Sequence, residues 1–209
     1  MDEQFNNLVS PMPLVAILRG LTPDKASETG AILIETGFRV IEVPLNSPKP
    51  IETISILAAE FGQQALIGAG TVMTTDQIIQ VADAGGKLIV SPHSDPNLIT
   101  TAKARGLFSL PGVATPSEGF AALNAGADGL KLFPAEVLPP SVVKAWRAVM
   151  DKRVGLFPVG GITPITIEDY WDAGATGFGL GSALFKANYT LAQIGANADR
   201  FIIRMKKLI

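Results

Sequence analysis

One lysine stands in the middle of the apolar run GLKLFPAE, residues 129–136. If that run is a strand, Lys131 faces one way while Leu130 and Leu132 face the other. A buried ammonium is costly, and an apolar site favours the neutral amine, which is a nucleophile. A glutamate holds a comparable position in RVIEVPL, residues 39–45, where Glu42 lies among Val40, Ile41 and Val43. Two readings fit the pair: a structural ion pair, or a Schiff-base lysine beside a carboxyl that moves protons. The second requires the lysine pKa to fall from about 10.4 toward neutrality. A charged carboxylate opposes that fall, so desolvation, a nearby cation such as Arg19, or protonation of Glu42 must assist it.

The elements that must position these groups follow a regular rhythm. Short apolar runs at 14–18, 39–45, 65–70, 87–92, 107–112, 129–134, 155–161 and 176–182 alternate with longer segments of helical character. Such alternation marks repeated βα units around a parallel sheet. Helix starts are signalled by Thr22-Pro23, Pro48 and Pro50, Thr74 or Thr75, Asp95-Pro96, Thr115-Pro116-Ser117-Glu118 and Thr163-Pro164, where a capping side chain or a proline suits the first turn. Further helices are expected at 141–150 and about 190–207. Eight strand-helix pairs in 209 residues predict a single-domain α/β chain, a closed (β/α)8 TIM barrel with a short N-terminal helix. An open doubly wound sheet is the alternative. It needs a glycine-rich fingerprint after the first strand, where this chain has Arg19-Gly20.

In a barrel, sites form at the C-terminal ends of the strands. Those ends carry Arg19, Glu42, Thr71, Pro92-His93, Lys131, Gly160-Gly161 and Gly181-Ser182. The glycine pairs after the seventh and eighth strands expose backbone N–H groups where barrels frequently bind phosphate, and Ser182 adds a hydroxyl. Taken one at a time, each residue also has a structural reading: a surface ion pair for Arg19, a turn for Thr71, positive φ for the glycines.

Composition removes several classes. The net charge of -2 shows no basic excess, so nucleic acid is not an expected partner. No apolar segment approaches the ~20 residues that span a bilayer, and MDEQFNNLVSPMP lacks the features of a secretory signal. The expectation is a cytoplasmic protein with no membrane association. With no cysteine and only His93, zinc chemistry lacks its usual ligands, though the composition leaves carboxylate-bound magnesium open. His93, beside Pro92, reads as a loop residue.

Together, AILRG (16–20), EVPLNSP (42–48), GAGTV (68–72), SP (91–92), PG (111–112), KLFPAE (131–136), VGG (159–161) and GLGS (179–182) make the chain resemble the 2-keto-3-deoxy-6-phosphogluconate and 6-phosphogalactonate aldolases over nearly its whole length. The resemblance implies a class I aldolase on a (β/α)8 barrel that needs no metal or cofactor. It implies Lys131 as the Schiff-base lysine and Glu42 as the proton-transferring carboxyl. Arg19 and Thr71 would hold the pyruvate-end carboxylate, and Gly160, Gly161, Gly181 and Ser182 the phosphate. The implied partners are a phosphorylated sugar acid, pyruvate and further copies of the chain, as a homotrimer. Gluconate-type members carry an arginine after the catalytic glutamate and a threonine before the Gly-Gly pair. Here Asn46 and Val159 stand at those places, which is similar to the 6-phosphogalactonate branch. Valine cannot bond a substrate hydroxyl as threonine can, so preference at C4 should shift. The alternatives are a gluconate-type or 4-hydroxy-2-oxoglutarate aldolase, and a phosphate-binding barrel without catalysis.

Overall fold

Buried β-branched and aliphatic runs form strands that lie covered on both faces, as parallel sheets require. The computed structural model describes residues 3–209; Met1 and Asp2, which open the acidic N-terminal stretch, lie outside them. The strands are β1 (Leu14–Ile17), β2 (Val40–Pro44), β3 (Leu66–Gly70), β4 (Leu88–Val90), β5 (Phe108–Leu110), β6 (Gly112–Val113), β7 (Leu130–Leu132), β8 (Leu156–Pro158) and β9 (Phe178–Leu180). All pairings between them are parallel.

They form two sheets, a six-stranded one in the order β5-β4-β3-β2-β1-β9 and a three-stranded one in the order β6-β7-β8. This corrects the expectation of one closed, eight-stranded ladder. The chain passes from one sheet to the other at Pro111, a residue with no N–H to give to a ladder. At the other seam the isolated bridge Val159–Gly179 and the bond from the Thr176 N–H to the Leu156 carbonyl, 2.8 Å, join the sheets without a continuous ladder. The arrangement is nonetheless barrel-like. Val15, Val40, Leu66, Leu88, Val90, Phe108 and Leu110 of the larger sheet share one apolar cluster with Phe157 of the smaller. A second cluster, between strands and helices, takes the alternate residues Ile41, Val43, Leu130 and Leu132.

The helices are α1 (Glu3–Val9), α2 (Ala26–Thr36), α3 (Pro50–Phe61), α4 (Thr75–Asp83), α5 (Pro96–Ala104), α6 (Pro116–Asn124), α7 (Pro140–Arg147), α8 (Ile167–Asp172) and α9 (Leu191–Met205). Thr74, Thr115 and Thr190 each close a capping box with Gln77, Glu118 and Gln193. The Thr22-Pro23 signal opens only a 3-10 turn, Pro23–Lys25, with no side-chain cap bond. Thr163-Pro164 likewise precedes a turn, and α8 starts three residues after Pro164. No helix among the described residues is long and apolar enough to cross a membrane.

The N-terminal helix closes one end of the barrel-like interior. Phe5 of α1 is buried, with its ring centroid 5.2 Å from that of Phe108 and 6.3 Å from that of Phe157. Phe5→Ala is therefore expected to lower stability by about 3–5 kcal/mol. Because the closed end carries packing and the opposite end carries the polar groups, turnover of the folded variant should not change. Urea melts and steady-state rates check both halves of that expectation.

Candidate functional site

The pleat turns Glu42 and Lys131 inward, since their neighbours Ile41, Val43, Leu130 and Leu132 all pack outward against helices. Register sets Glu42 of β2 beside Ile17 and Gly68, and Lys131 of β7 beside Gly112 and Phe157. The two side chains line one small cavity walled by Val15, Ile17, Val90, Leu110, Phe157 and Val159. Its volume of about 10 Å³ is at the lower limit for a single water. Glu42 is 2 % exposed and Lys131 8 %, and Oε2 of Glu42 has no hydrogen-bond partner among the described residues.

Burial moves both groups away from their ordinary values, in opposite directions. Burial pushes the Glu42 carboxyl up to about 7, with Lys131 and Arg19 pulling in the other direction. Burial also pushes the Lys131 ammonium down; Glu42 opposes this and Arg19 assists it. The Lys131 Nζ lies 4.4 Å from the centroid of the Phe133 ring, a contact that favours the charged amine. Among burial, Glu42 and Arg19, burial is the largest influence on the amine, and its direction is down. All three influences that a nucleophilic lysine requires are thus present together: burial, a nearby cation and a carboxyl held partly neutral.

The first loop brings Arg19 near enough for its charge to act on both groups. Arg19 donates through Nη1 to Asn46 Oδ1 and through Nη2, at 3.4 Å, to Thr71 Oγ1. The loop is held by the Gly20 N–H, which donates to the buried Ser47 hydroxyl at 2.9 Å. Thr71 has φ +57°, a left-handed conformation that costs a non-glycine residue on the order of 1–2 kcal/mol. That turn carries its hydroxyl to the arginine.

Gly70 at the end of β3 has a specific steric reason. A Cβ there would lie 2.1 to 2.4 Å from the Glu42 carboxyl atoms, so only hydrogen leaves room for that group. Gly70→Ala must displace the carboxyl. If Glu42 takes part in chemistry, kcat should fall by about 10²-fold, the scale on which a misplacement near 1 Å acts. Steady-state kinetics with a melt to confirm folding measures this.

The second pair of strand ends builds a larger pocket of about 540 Å³. Gly160, Gly161, Gly181 and Ser182 line it together with Arg19 and Lys186. Gly160 and Gly161 have φ of +113° and +63°, and Gly181 has open space where a Cβ would be. One helical turn follows Gly181, whose carbonyl accepts from Leu184 and Phe185 at 2.9 and 3.0 Å. The first amides of such a turn have no intrahelical acceptor and suit an anion. Ile17 and Val159 line both cavities, so the buried amine and the glycine corner adjoin.

The fold therefore gathers Arg19, Glu42, Thr71, Lys131, Gly160, Gly161, Gly181 and Ser182 at one end of the strands. His93 is exposed in a bend after β4 and lines neither cavity. Among the described residues no group of three His, Asp or Glu side chains is placed to hold a metal. Sequence reasoning passed over Gly70, Ser47, Lys186 and Glu136; the last lies within the KLFPAE motif and lines the larger pocket.

Polar groups at the C-terminal ends of parallel strands, around an apolar interior, place the chain among barrel-like α/β proteins with a site at that end. The sequence model of the KDPG and KHG aldolase family matches residues 5–196. A probable 2-dehydro-3-deoxy-6-phosphogalactonate aldolase of Rhizobium meliloti (strain 1021) is 46% identical over 89% of this chain and 88% of its own. The 2-dehydro-3-deoxy-6-phosphogalactonate aldolase of Escherichia coli (strain K12) is 41% identical over 91% and 93%. A solved structure described as native KDPGal superposes with a TM-score of 0.93 at 40% identity, covering 94% of this chain and 96% of that one. The chain belongs to the KDPG and KHG aldolase family.

Proposed function

We propose that this aldolase cleaves 2-dehydro-3-deoxy-6-phosphogalactonate to pyruvate and D-glyceraldehyde 3-phosphate through a Schiff base on Lys131. The observation that carries the reading is the adjacency of three parts. An amine with lowered pKa and a carboxyl with raised pKa share a small apolar-walled cavity, and that cavity abuts a glycine-lined pocket suited to phosphate. Substrate choice rests on Val159 and Asn46, which offer neither the threonine hydroxyl nor the arginine of the gluconate-type pattern, and on the two galactonate-type relatives.

Lys131, as the neutral amine, adds to the C2 ketone, and loss of water leaves a protonated imine. Glu42, as carboxylate, accepts the proton of the C4 hydroxyl while the C3–C4 bond breaks and its electrons pass into the imine. The aldehyde departs and an enamine remains on the lysine. Protonation at C3 and hydrolysis release pyruvate and restore the amine. Arg19, supported by Thr71, holds the substrate carboxylate in a forked pair of hydrogen bonds, which keeps the ketone against the nitrogen. Gly160, Gly161, Gly181 and Ser182 bind the phosphate. The scheme draws on no metal or cofactor.

The same reading takes the two sheets as one (β/α)8 barrel, the chain as one catalytic domain, and the working assembly as a cytoplasmic homotrimer. Turnover on the two C4-epimeric phosphorylated acids tests the substrate. The galactonate-type acid is expected to be cleaved with the higher kcat/KM, by about 10-fold or more if one hydroxyl contact separates them. A strong gluconate-type preference would overturn the choice.

A further inference from the structure

Glu136 takes no part in the chemistry above, yet it lines the larger pocket. It sits in the 3-10 turn Ala135–Val137, just past the strand that carries Lys131. That turn is pinned at Ala135, whose N–H donates to the Val159 carbonyl at 2.9 Å and whose carbonyl accepts from the Tyr170 hydroxyl at 2.9 Å. The Glu136 side chain lies directly against the glycine pair. A Cβ on Gly160 would stand 2.2 Å from its Oε2, and one on Gly161 3.2 Å from its Cγ. The two glycines thus make room for this carboxylate as well as baring their backbone. Arg19, Lys186 and the glycine amides suit a phosphate, but a carboxylate repels one. Glu136 is exposed, and its carboxylate at the pocket wall can accept a hydrogen bond from a donor on the ligand in place of water.

We propose that Glu136 is a specificity-determining residue that accepts a hydrogen bond from the hydroxyl next to the phosphate-bearing carbon, C5 of the six-carbon acid and C2 of the three-carbon aldehyde. The assignment rests on the reading of the site given above. With the amine at C2 of the acid and Glu42 serving the C4 hydroxyl, C5 carries the one remaining hydroxyl. It falls at the phosphate end, where Glu136 stands. An O–H donating to a carboxylate is among the stronger hydrogen bonds. A ligand without that hydroxyl leaves the carboxylate facing the phosphate uncompensated, and is rejected.

The test follows condensation of pyruvate with D-glyceraldehyde 3-phosphate and with 3-oxopropyl phosphate, which lacks the hydroxyl, for the unmodified chain, Glu136→Ala and Glu136→Gln. The unmodified enzyme is expected to favour the hydroxylated aldehyde by about 10–100-fold in kcat/KM, the range for a hydrogen bond to a charged group. Glu136→Ala should lose most of that preference, and Glu136→Gln, whose amide oxygen still accepts, should keep part of it. Each protein is also trapped with pyruvate and borohydride, which reads the amine without involving the phosphate end. Normal trapping with an unchanged aldehyde ratio in both variants overturns the Glu136 assignment alone, and so does tighter binding of inorganic phosphate with that ratio unchanged. Failure of the unmodified chain to trap pyruvate removes the aldolase reading beneath it. Should Glu136→Ala not fold, the isosteric Gln variant decides.

Discussion

Lys131→Met is expected to abolish turnover, by about 10⁴-fold or more, the scale seen when a covalent enzyme loses its nucleophile. The variant should nevertheless fold. Methionine is apolar, flexible and similar in length, so it fills the space between Phe157 and Val159 without leaving a hole. The residue left behind is Glu42, already held up to about 7 by burial while Lys131 pulls it down. Without the ammonium its pKa rises further, so at pH 7 the carboxyl is neutral and no unpaired charge stays buried. The sign of the pH dependence follows. A carboxyl whose folded pKa lies above its unfolded value of 4.5 binds a proton in the folded state that the unfolded chain has lost. Stability therefore falls as pH climbs from that lower value through the folded one, and levels off above it. Lys131→Met should show a steeper fall between pH 5 and 8 than the unmodified chain in denaturant melts. A variant that kept turnover near normal would end the role given to Lys131.

Glu42→Gln should lower turnover by about 10²–10⁴-fold, the usual contribution of a positioned acid or base. Its effect on the amine goes the other way. The Glu42 charge raises the Lys131 pKa, so removing it leaves more neutral amine at a given pH, and pyruvate should still be trapped on the lysine at least as readily. Loss of cleavage with retained trapping would separate the base from the nucleophile. In the unmodified enzyme the base is competent only when deprotonated, so kcat/KM should rise with pH through about 7. Below that point it should fall by about tenfold per unit of pH for a single proton. The Gln variant should lose this acid limb. Near-normal turnover, or a limb that survives the substitution, would remove Glu42 from the scheme.

The strands and the helix starts were legible because each rests on local physics. Full capping boxes mark three of the helix starts. Thr74, Thr115 and Thr190 have Gln77, Glu118 and Gln193 three residues on and close full capping boxes. Thr22, with Lys25 three residues on, makes no side-chain cap bond and leads into a 3-10 turn. Thr163 and Thr166 do exchange such bonds, the Thr163 N–H donating to Thr166 Oγ1 at 3.0 Å and the Thr166 N–H to Thr163 Oγ1 at 3.3 Å, and they hold a turn ahead of α8. Pro111 hid for another reason. LFSLPG reads as one apolar run, and the break in the ladder depends on which neighbour would have needed that N–H. In the site, Lys131 and Glu42 stood out because charge in an apolar strand is conspicuous whatever surrounds it. Gly70 and Glu136 did not, since their meaning lies in what approaches them: a carboxyl from β2 in one case, the backbone after β8 in the other.

Borohydride reduction in the presence of pyruvate, followed by peptide mapping, tests the central claim most directly. A reduced adduct carrying the three-carbon acid on the peptide that contains Lys131, and on no other lysine, is the result expected of a buried amine whose pKa burial lowers. An unmodified chain after reduction, or an adduct on any other lysine, would contradict it.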